Sequence, residues 1–145
     1  MEKKTIVQKV VLAAAIIKAD KILILQRNKD EDVFPNMWEL PSGKKELLEG
    51  TESSLLREVK EETGLSIRII IPFSVFDYQV EKETETRDSV QINFLTEIEG
   101  ESEVKISFEH QNFAWITRHE ILEYGLSEKT RQTLEKAFEI ADKLK

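Results

Sequence analysis

The sequence predicts an α/β sandwich in which helices cover a mixed β-sheet. Apolar stretches with strand character and amphipathic stretches of helical period are interspersed along the chain, without a regular βα repeat. No linker, internal repeat or low-complexity segment divides the 145 residues, a length typical of one domain. We therefore expect residues 1–145 to form a single domain.

The first strands are predicted from two apolar segments in the N-terminal part of the chain. Residues 5–17 are mostly apolar, which is typical of a largely buried strand, and residues 22–26 form its return strand. The mainly polar residues 27–36 predict a loop. A short strand is expected over residues 38–40, ended by the Pro-Ser-Gly of residues 41–43.

The remaining strands lie in the second half of the sequence. Residues 66–80 are rich in Ile, Val and Phe, and residues 89–97 alternate as their partner strand would. We expect residues 81–88 to form the charged tip of this hairpin. A last short strand is predicted over residues 113–116, followed by a helical turn over residues 120–124.

Two amphipathic segments predict longer helices. The first covers about residues 52–63, with Thr51 as its N-cap and Gly64 as its C-terminal stop. Its apolar stripe consists of Leu55, Leu56 and Val59. Ser127 is predicted to cap the last helix, which runs to about residue 144. The apolar face of that helix comprises Leu134, Ala137, Phe138, Ala141 and Leu144.

Composition excludes several classes of function. The formal net charge is −7 and the isoelectric point is about 5.0, which argues against duplex nucleic acid or an anionic membrane as the main partner. A small anionic substrate remains compatible if a divalent cation supplies positive charge locally. Because there is no cysteine, disulfides, thiolate catalysis and cysteine-ligated zinc are excluded.

The start of the chain carries three lysines before an apolar run. This arrangement lacks the layout of a signal peptide, and the run of residues 10–17 is too short to cross a bilayer. We therefore expect an intracellular, cytoplasmic protein.

Three glutamates on the first predicted helix are the main chemical signal. Glu58, Glu61 and Glu62 are three and four residues apart, which puts them on one helix face. Such carboxylates repel one another, but Mg²⁺ or Mn²⁺ favours ligands of this type. On this triplet alone, a solvated acidic face is the likelier interpretation, because glutamate is abundant in the chain.

The surrounding pattern reverses that preference. Residues 43–65 read GKKELLEGTESSLLREVKEETGL and match GX5EX7REUXEEXGU, with U aliphatic, at every specified position. The segment therefore resembles the signature of the Nudix hydrolases. The resemblance extends to residues 23–27, 38–43 and 109–115, and implies a Nudix-fold α/β/α sandwich with a mixed sheet.

The resemblance also implies roles for residues of this signature. Glu58 and Glu62 correspond to direct metal ligands, and Glu61 to a third or a water-mediated ligand. The carbonyl of Gly43 often joins them in the family. Arg57 resembles the arginine that pairs with the early glutamate, here Glu49, which fits the planar guanidinium fork of arginine.

Residues outside the signature complete the expected site. Glu109, six residues before Trp115, resembles a late acidic position of the family and is a further metal ligand or the general base; a solvated loop carboxylate is an equal alternative. His110 is expected to be a loop or packing residue. Arg27 and Lys44 are candidates for substrate phosphates, although a solvent-exposed position is favoured for each.

The resemblance implies metal-dependent hydrolysis of a phosphoanhydride bond in a nucleoside diphosphate derivative. The small size favours a (d)NTP pyrophosphohydrolase of MutT type, and the alternative is an ADP-ribose or nucleotide-sugar pyrophosphatase. A non-catalytic nucleotide-sensing module and an acidic interaction protein are the alternatives of other classes. Family members are often homodimers. Phe34, Phe76 and Tyr78 suit stacking on a base, but a core position is favoured for each.

Overall fold

The computed structural model describes residues 3–145 and is built on one seven-stranded mixed sheet. Its strands are β1 (Thr5–Lys18), β2 (Lys21–Arg27), β3 (Trp38–Glu39), β4 (Ser42–Lys44), β5 (Ile67–Glu81), β6 (Glu85–Ile98) and β7 (His110–Ile116). The helices are α1 (Thr51–Thr63) and α2 (Glu128–Lys143), and a short 3₁₀ helix spans Arg118–Glu123. No helix within residues 3–145 is long and apolar enough to cross a membrane.

The strand order runs β3-β2-β1-β6-β5, with β4 added on β1 and β7 on β2. The pairing of β1 with β6 is parallel and continues from Thr5 opposite Glu85 to Ile17 opposite Glu97. All the other pairings are antiparallel. The predicted mixed sheet is therefore confirmed, and its parallel pair is joined through the long connection that contains α1.

Helices cover both faces of the sheet, as the prediction of an α/β/α sandwich requires. On one face, α1 buries Leu55 and Val59 against apolar side chains of β1 and β2. On the other face, α2 buries Leu134, Ala137 and Phe138 among a second set from the same strands. One strand contributes to both cores because its successive side chains point to opposite faces of the sheet. Leu12 of β1 lies in the core under α1, and Ala13 lies in the core under α2.

Three details of the predicted helices are wrong. The N-cap of α1 is Gly50, because Thr51 is already the first residue of the helix. Leu56 is 40% exposed, since it points away from the sheet that Leu55 contacts. Leu144 lies just after the end of α2 and is also exposed. The predicted Ser127 cap of α2 is confirmed: its side chain accepts a hydrogen bond from the backbone N–H of Thr130.

The strands extend further than the apolar pattern indicated. The hairpin of β5 and β6 turns at residues 82–84, whereas a tip over residues 81–88 was predicted. Polar residues 85–88 stay in β6 because residues 5–8 of β1 pair with them in parallel. Residues 41–43 were expected to end a strand, but residues 42–44 form β4, whose backbone pairs with residues 11–13 of β1.

Candidate active site

A polar cavity of about 440 Å³ lies between β4, α1 and the β5–β6 hairpin. Residues from β2, β4, α1, β5, β6 and the loop before β7 line it. Its charged side chains form two groups. One group consists of carboxylates, including Glu58, Glu62 and Glu109, and the other contains Lys44, Lys82 and Arg87. This volume lies within the range typical of sites for small ligands.

Glu62 is the most deeply buried carboxylate of the cavity. Only 8% of its surface is exposed, and its Oε1 accepts a hydrogen bond of 2.9 Å from the backbone N–H of Ser42. Burial raises the pKa of Glu62 well above its usual value, and the Ser42 N–H opposes this rise. The nearby carboxylates of Glu39, Glu109 and Glu58 raise that pKa further. Nothing cationic pairs with Glu62 within the described residues, so the cavity favours a positive ligand here.

Glu58 lies one turn before Glu62 and packs directly on the backbone of Gly43. A Cβ atom at residue 43 would collide with the carboxyl carbon and Oε2 of Glu58, so only glycine leaves room for this side chain. Burial also raises the pKa of Glu58, partly opposed by the adjacent Arg57. Pairing of β4 with β1 thus places Gly43 against α1, since residue 43 stands opposite Leu12 in the sheet.

Arg57 joins the loop before α1 to the helix. Its Nε and Nη2 donate to Glu49 Oε2 and Oε1 at 2.8 and 3.0 Å, in the two-pronged geometry of a guanidinium on a carboxylate. Hydrogen bonds from Arg57 hold the pKa of Glu49 at about 2. Arg57 also lies 3.0 Å from Glu58 Oε1 and 3.2 Å from Glu61 Oε1, through its Nη1 atom. The arginine therefore sets the position of the loop relative to α1.

The structure separates the three glutamates that the sequence put on one helix face. Glu58 and Glu62 line the cavity, whereas the Glu61 side chain is 59% exposed and lies outside the lining. Glu109 is exposed but lines the cavity with the other two. Within residues 3–145, no three acidic or histidine side chains already stand at the spacing of a metal site.

Arg27 is not the solvent-exposed residue that the sequence favoured. Its guanidinium donates to the Val33 carbonyl at 2.8 Å and lies 3.3 Å from Glu39 and 3.5 Å from Glu31. Glu39 is held from its other side by His110, whose Nε2 is 2.9 Å from the same oxygen. His110 is buried, as expected of a packing residue, although it lies in β7 rather than in a loop.

Comparison with known proteins places this geometry in a family. The model of the NUDIX domain matches residues 8–137. The chain belongs to the Nudix hydrolase family. It is therefore an enzyme, as the sequence predicted.

Individual relatives of this Nudix hydrolase cover nearly its whole length. It is 30% identical over 134 residues to the nucleoside triphosphatase NudI of Escherichia coli, covering 88% of this chain and 94% of that protein. The same identity and coverage apply to the NudI protein of Escherichia fergusonii. Among solved structures, the MutT NUDIX hydrolase from Burkholderia pseudomallei is 26% identical with a TM-score of 0.74, covering 89% and 97% of the two chains.

Two basic residues of this Nudix hydrolase were missed by the sequence analysis. Lys82 lies in the turn of the β5–β6 hairpin and Arg87 lies near the start of β6. Both line the cavity with Lys44, which is exposed as expected. Burial lowers the pKa of Lys44, and the positive charges of Arg87, Lys9 and Lys82 lower it further. Three cations therefore lie within electrostatic reach of Lys44. Lys82 and Arg87 stand among acidic and threonine residues in the hairpin sequence, so only the strand register reveals this group.

A second cavity of about 240 Å³ adjoins the first and is largely apolar. Phe34, Phe76 and Tyr78 line it together with Trp38, so the core position favoured for the first three is wrong. Phe34 is 48% exposed, and the other two are partly exposed. The two cavities share Phe34, Glu39, Ser42, Tyr78 and Gln91 in their linings. They therefore form one continuous cleft with a charged part and an aromatic part.

Proposed function

We propose that this Nudix hydrolase cleaves a phosphoanhydride bond of a nucleoside triphosphate and releases pyrophosphate, as enzymes of MutT type do. The observation that carries the proposal is the continuity of the two cavities through Tyr78 and Gln91. The charged cavity suits a triphosphate, and the aromatic cavity suits a planar base. The NudI relatives, which are named nucleoside triphosphatases, support the same substrate class.

The donor groups of the charged cavity fit Mg²⁺ or Mn²⁺. Glu58, Glu62 and Glu109 supply hard carboxylate oxygens. Burial raises the pKa values of Glu58 and Glu62, and Glu62 has no cationic partner within the described residues. Mg²⁺ is commonly bound by one or two carboxylates, with water and substrate phosphate completing its shell. Such an ion, when bound, neutralises phosphate charge and makes water a better nucleophile. Closing these carboxylates on an ion requires their side chains to move.

The other residues bind and orient the substrate. The cationic group of Lys44, Lys82 and Arg87 provides countercharge for the substrate phosphates, which the carboxylates would otherwise repel. Arg57 keeps Glu58 in place through its contacts with Glu49 and Glu58. Arg27 is occupied by the Val33 carbonyl and Glu39, so it shapes the cavity wall and is only secondarily available to a phosphate.

The test is a substrate panel with Mg²⁺ and with EDTA. It includes the (d)NTPs, 8-oxo-dGTP, ADP-ribose, NADH, nucleotide sugars and dinucleoside polyphosphates, with Glu62→Gln as the control for contaminating activity. We expect metal-dependent pyrophosphate release from one or more nucleoside triphosphates. Cleavage only of ADP-ribose or a nucleotide sugar would contradict the proposed substrate but would leave the proposed metal site unchanged. Activity that survives EDTA would contradict the metal assignment.

Glu109 requires a separate experiment, because a metal ligand and a general base predict different results. Glu109→Gln should lower turnover in both cases. A lost ligand also raises the Mg²⁺ concentration needed for half-maximal activity, and it weakens Mn²⁺ binding measured without substrate. A lost base leaves Mn²⁺ binding unchanged and removes an ionisation from the acid limb of the pH–rate profile. If Glu109→Gln has wild-type turnover, the carboxylate has neither role.

A further inference from the structure

A line of polar side chains crosses one otherwise apolar face of the sheet. Ser89, Gln91 and Asn93 are alternate residues of β6, so they point to the same face, where Leu95 continues into the core under α2. Ser89 is 4% exposed and Asn93 is fully buried. Burying a carboxamide is unfavourable unless its hydrogen bonds are made. Polar residues at these positions therefore need an explanation.

The hydrogen bonds of this line converge on Gln91. Asn93 Nδ2 donates to Ser74 Oγ at 3.1 Å, and Gln91 Nε2 donates to Asn93 Oδ1 at 2.8 Å. Ser74 stands opposite Asn93 on β5, and Phe76 stands opposite Gln91. The buried amide of Asn93 is thus anchored to Ser74 through its Nδ2 atom and holds the side chain of Gln91 through its Oδ1 atom. Gln91 retains a carbonyl oxygen and one N–H without a partner among residues 3–145.

Gln91 lies at the junction of the two cavities. It lines both the charged and the aromatic cavity, next to Tyr78. A base seated among Phe34, Phe76 and Tyr78 presents hydrogen-bond donors and acceptors at its edge, to which a carboxamide is complementary. We propose that Gln91 is a specificity-determining residue that hydrogen-bonds the nucleobase, and that Asn93 and Ser74 are the residues that position it. The inference rests on the proposed nucleoside triphosphate substrate.

The test compares wild type with Gln91→Met, which preserves volume and removes the amide. Steady-state pyrophosphate release is measured for the four ribonucleoside triphosphates and the matching deoxynucleotides. We expect KM to rise about 3- to 10-fold for the preferred base, with a smaller change in kcat, as for loss of a neutral hydrogen bond. The fold increase in KM should differ between bases and should be the same for the ribonucleotide and the deoxynucleotide of each base. Gln79→Met, at an exposed position of β5, is the matched control and should match wild type on every nucleotide.

Asn93→Leu tests the positioning part, because it removes the anchor and leaves Gln91 intact. It should reproduce the base-dependent change of Gln91→Met at smaller size, and it should add little in the double variant. Thermal melting confirms that each variant is folded. A purely structural role would lower the melting temperature without changing the preference among bases.

Three results would overturn the inference. If the fold increase in KM depends on the sugar rather than on the base, Gln91 contacts the ribose. If the increase is equal for all nucleotides, Gln91 takes no part in base recognition. In both cases the nucleoside triphosphatase activity stands. If wild type releases pyrophosphate from none of the nucleotides, the proposed function fails and this inference fails with it.

Discussion

Replacement of Gly43 by alanine tests the geometry of the site most directly. The new Cβ would overlap the carboxyl carbon and Oε2 of Glu58. Carbon atoms in ordinary contact are separated by about 3.5–4.0 Å, so the carboxylate must move by roughly 1 Å or more. The collision involves the far end of a flexible side chain, which can rotate away. We therefore expect Gly43→Ala to fold and to misplace Glu58.

The size of the effect follows from this displacement. Overpacking of one methyl group costs about 1–3 kcal/mol when neighbours must shift, which sets the expected loss of folding stability. Misplacing a reacting or ligating group by ~1 Å costs on the order of 10²-fold in rate. We expect kcat/KM for the best nucleotide to fall about 10²-fold and the Mg²⁺ concentration for half-maximal activity to rise. The measurements are pyrophosphate release against Mg²⁺ concentration and urea denaturation.

Gly125→Ala is the matched control, because a Cβ there meets no atom within 4 Å and its backbone suits alanine. It should retain wild-type stability and rate. A folded Gly43→Ala protein with wild-type kcat/KM would show that Glu58 need not occupy its observed position. A stability loss far above 3 kcal/mol would instead show that the backbone, rather than the Glu58 side chain, absorbs the collision.

Three further predictions concern the carboxylates. Glu62→Gln should lower kcat about 10²- to 10⁴-fold, because it removes the several kcal/mol that metal assistance provides. Glu61→Gln, at an exposed position, should lower kcat far less. Equal losses of kcat would contradict the separation of these two side chains. Glu49 has a pKa of about 2 in the folded protein, below its usual 4.5. Its ionised form therefore stabilises the fold above pH 4.5, and the stability difference between wild type and Glu49→Gln in urea should close as the pH falls from about 4.5 to 2. Mg²⁺ at about 100 times its dissociation constant adds ~2.7 kcal/mol, so wild type should melt about 5–10 °C higher, with little change for Glu62→Gln.

The local signals of the sequence predicted α1 and its chemistry well. Helical periodicity and the Gly64 stop place the helix to within one residue at its start. Spacing alone, however, puts Glu58, Glu61 and Glu62 together, and only the packing of α1 distinguishes them. The cavity takes Glu58 and Glu62 because β4 delivers Gly43 and Ser42 to that side of the helix. Three-residue strands such as β4 depend on pairing with distant residues, which no local pattern reveals.

The β5–β6 hairpin was the least predictable part, for a related reason. Hydrophobic alternation ends near residue 80, but the strands continue because β1 and β6 pair along their full length. Lys82 and Arg87 reach the cavity through that extension. The aromatic residues were misassigned because Phe76 and Tyr78 alternate as core residues do. A sequence pattern shows that they share a face, but it does not show where the covering helix ends.

The lengths of the elements explain how the site is divided. The core under α2 includes Ile70 and Phe73, whereas Phe76 and Tyr78 lie further along β5, beside residues 127–130 at the start of that helix. The strands thus extend past the helix that covers them, and the uncovered part forms the aromatic cavity. The carboxylates that we propose as metal ligands come mainly from α1, a different element on the opposite face of the sheet. Substitutions in α1 should therefore change the rate for all nucleotides alike, while substitutions in the uncovered part of the hairpin should change the preference among them.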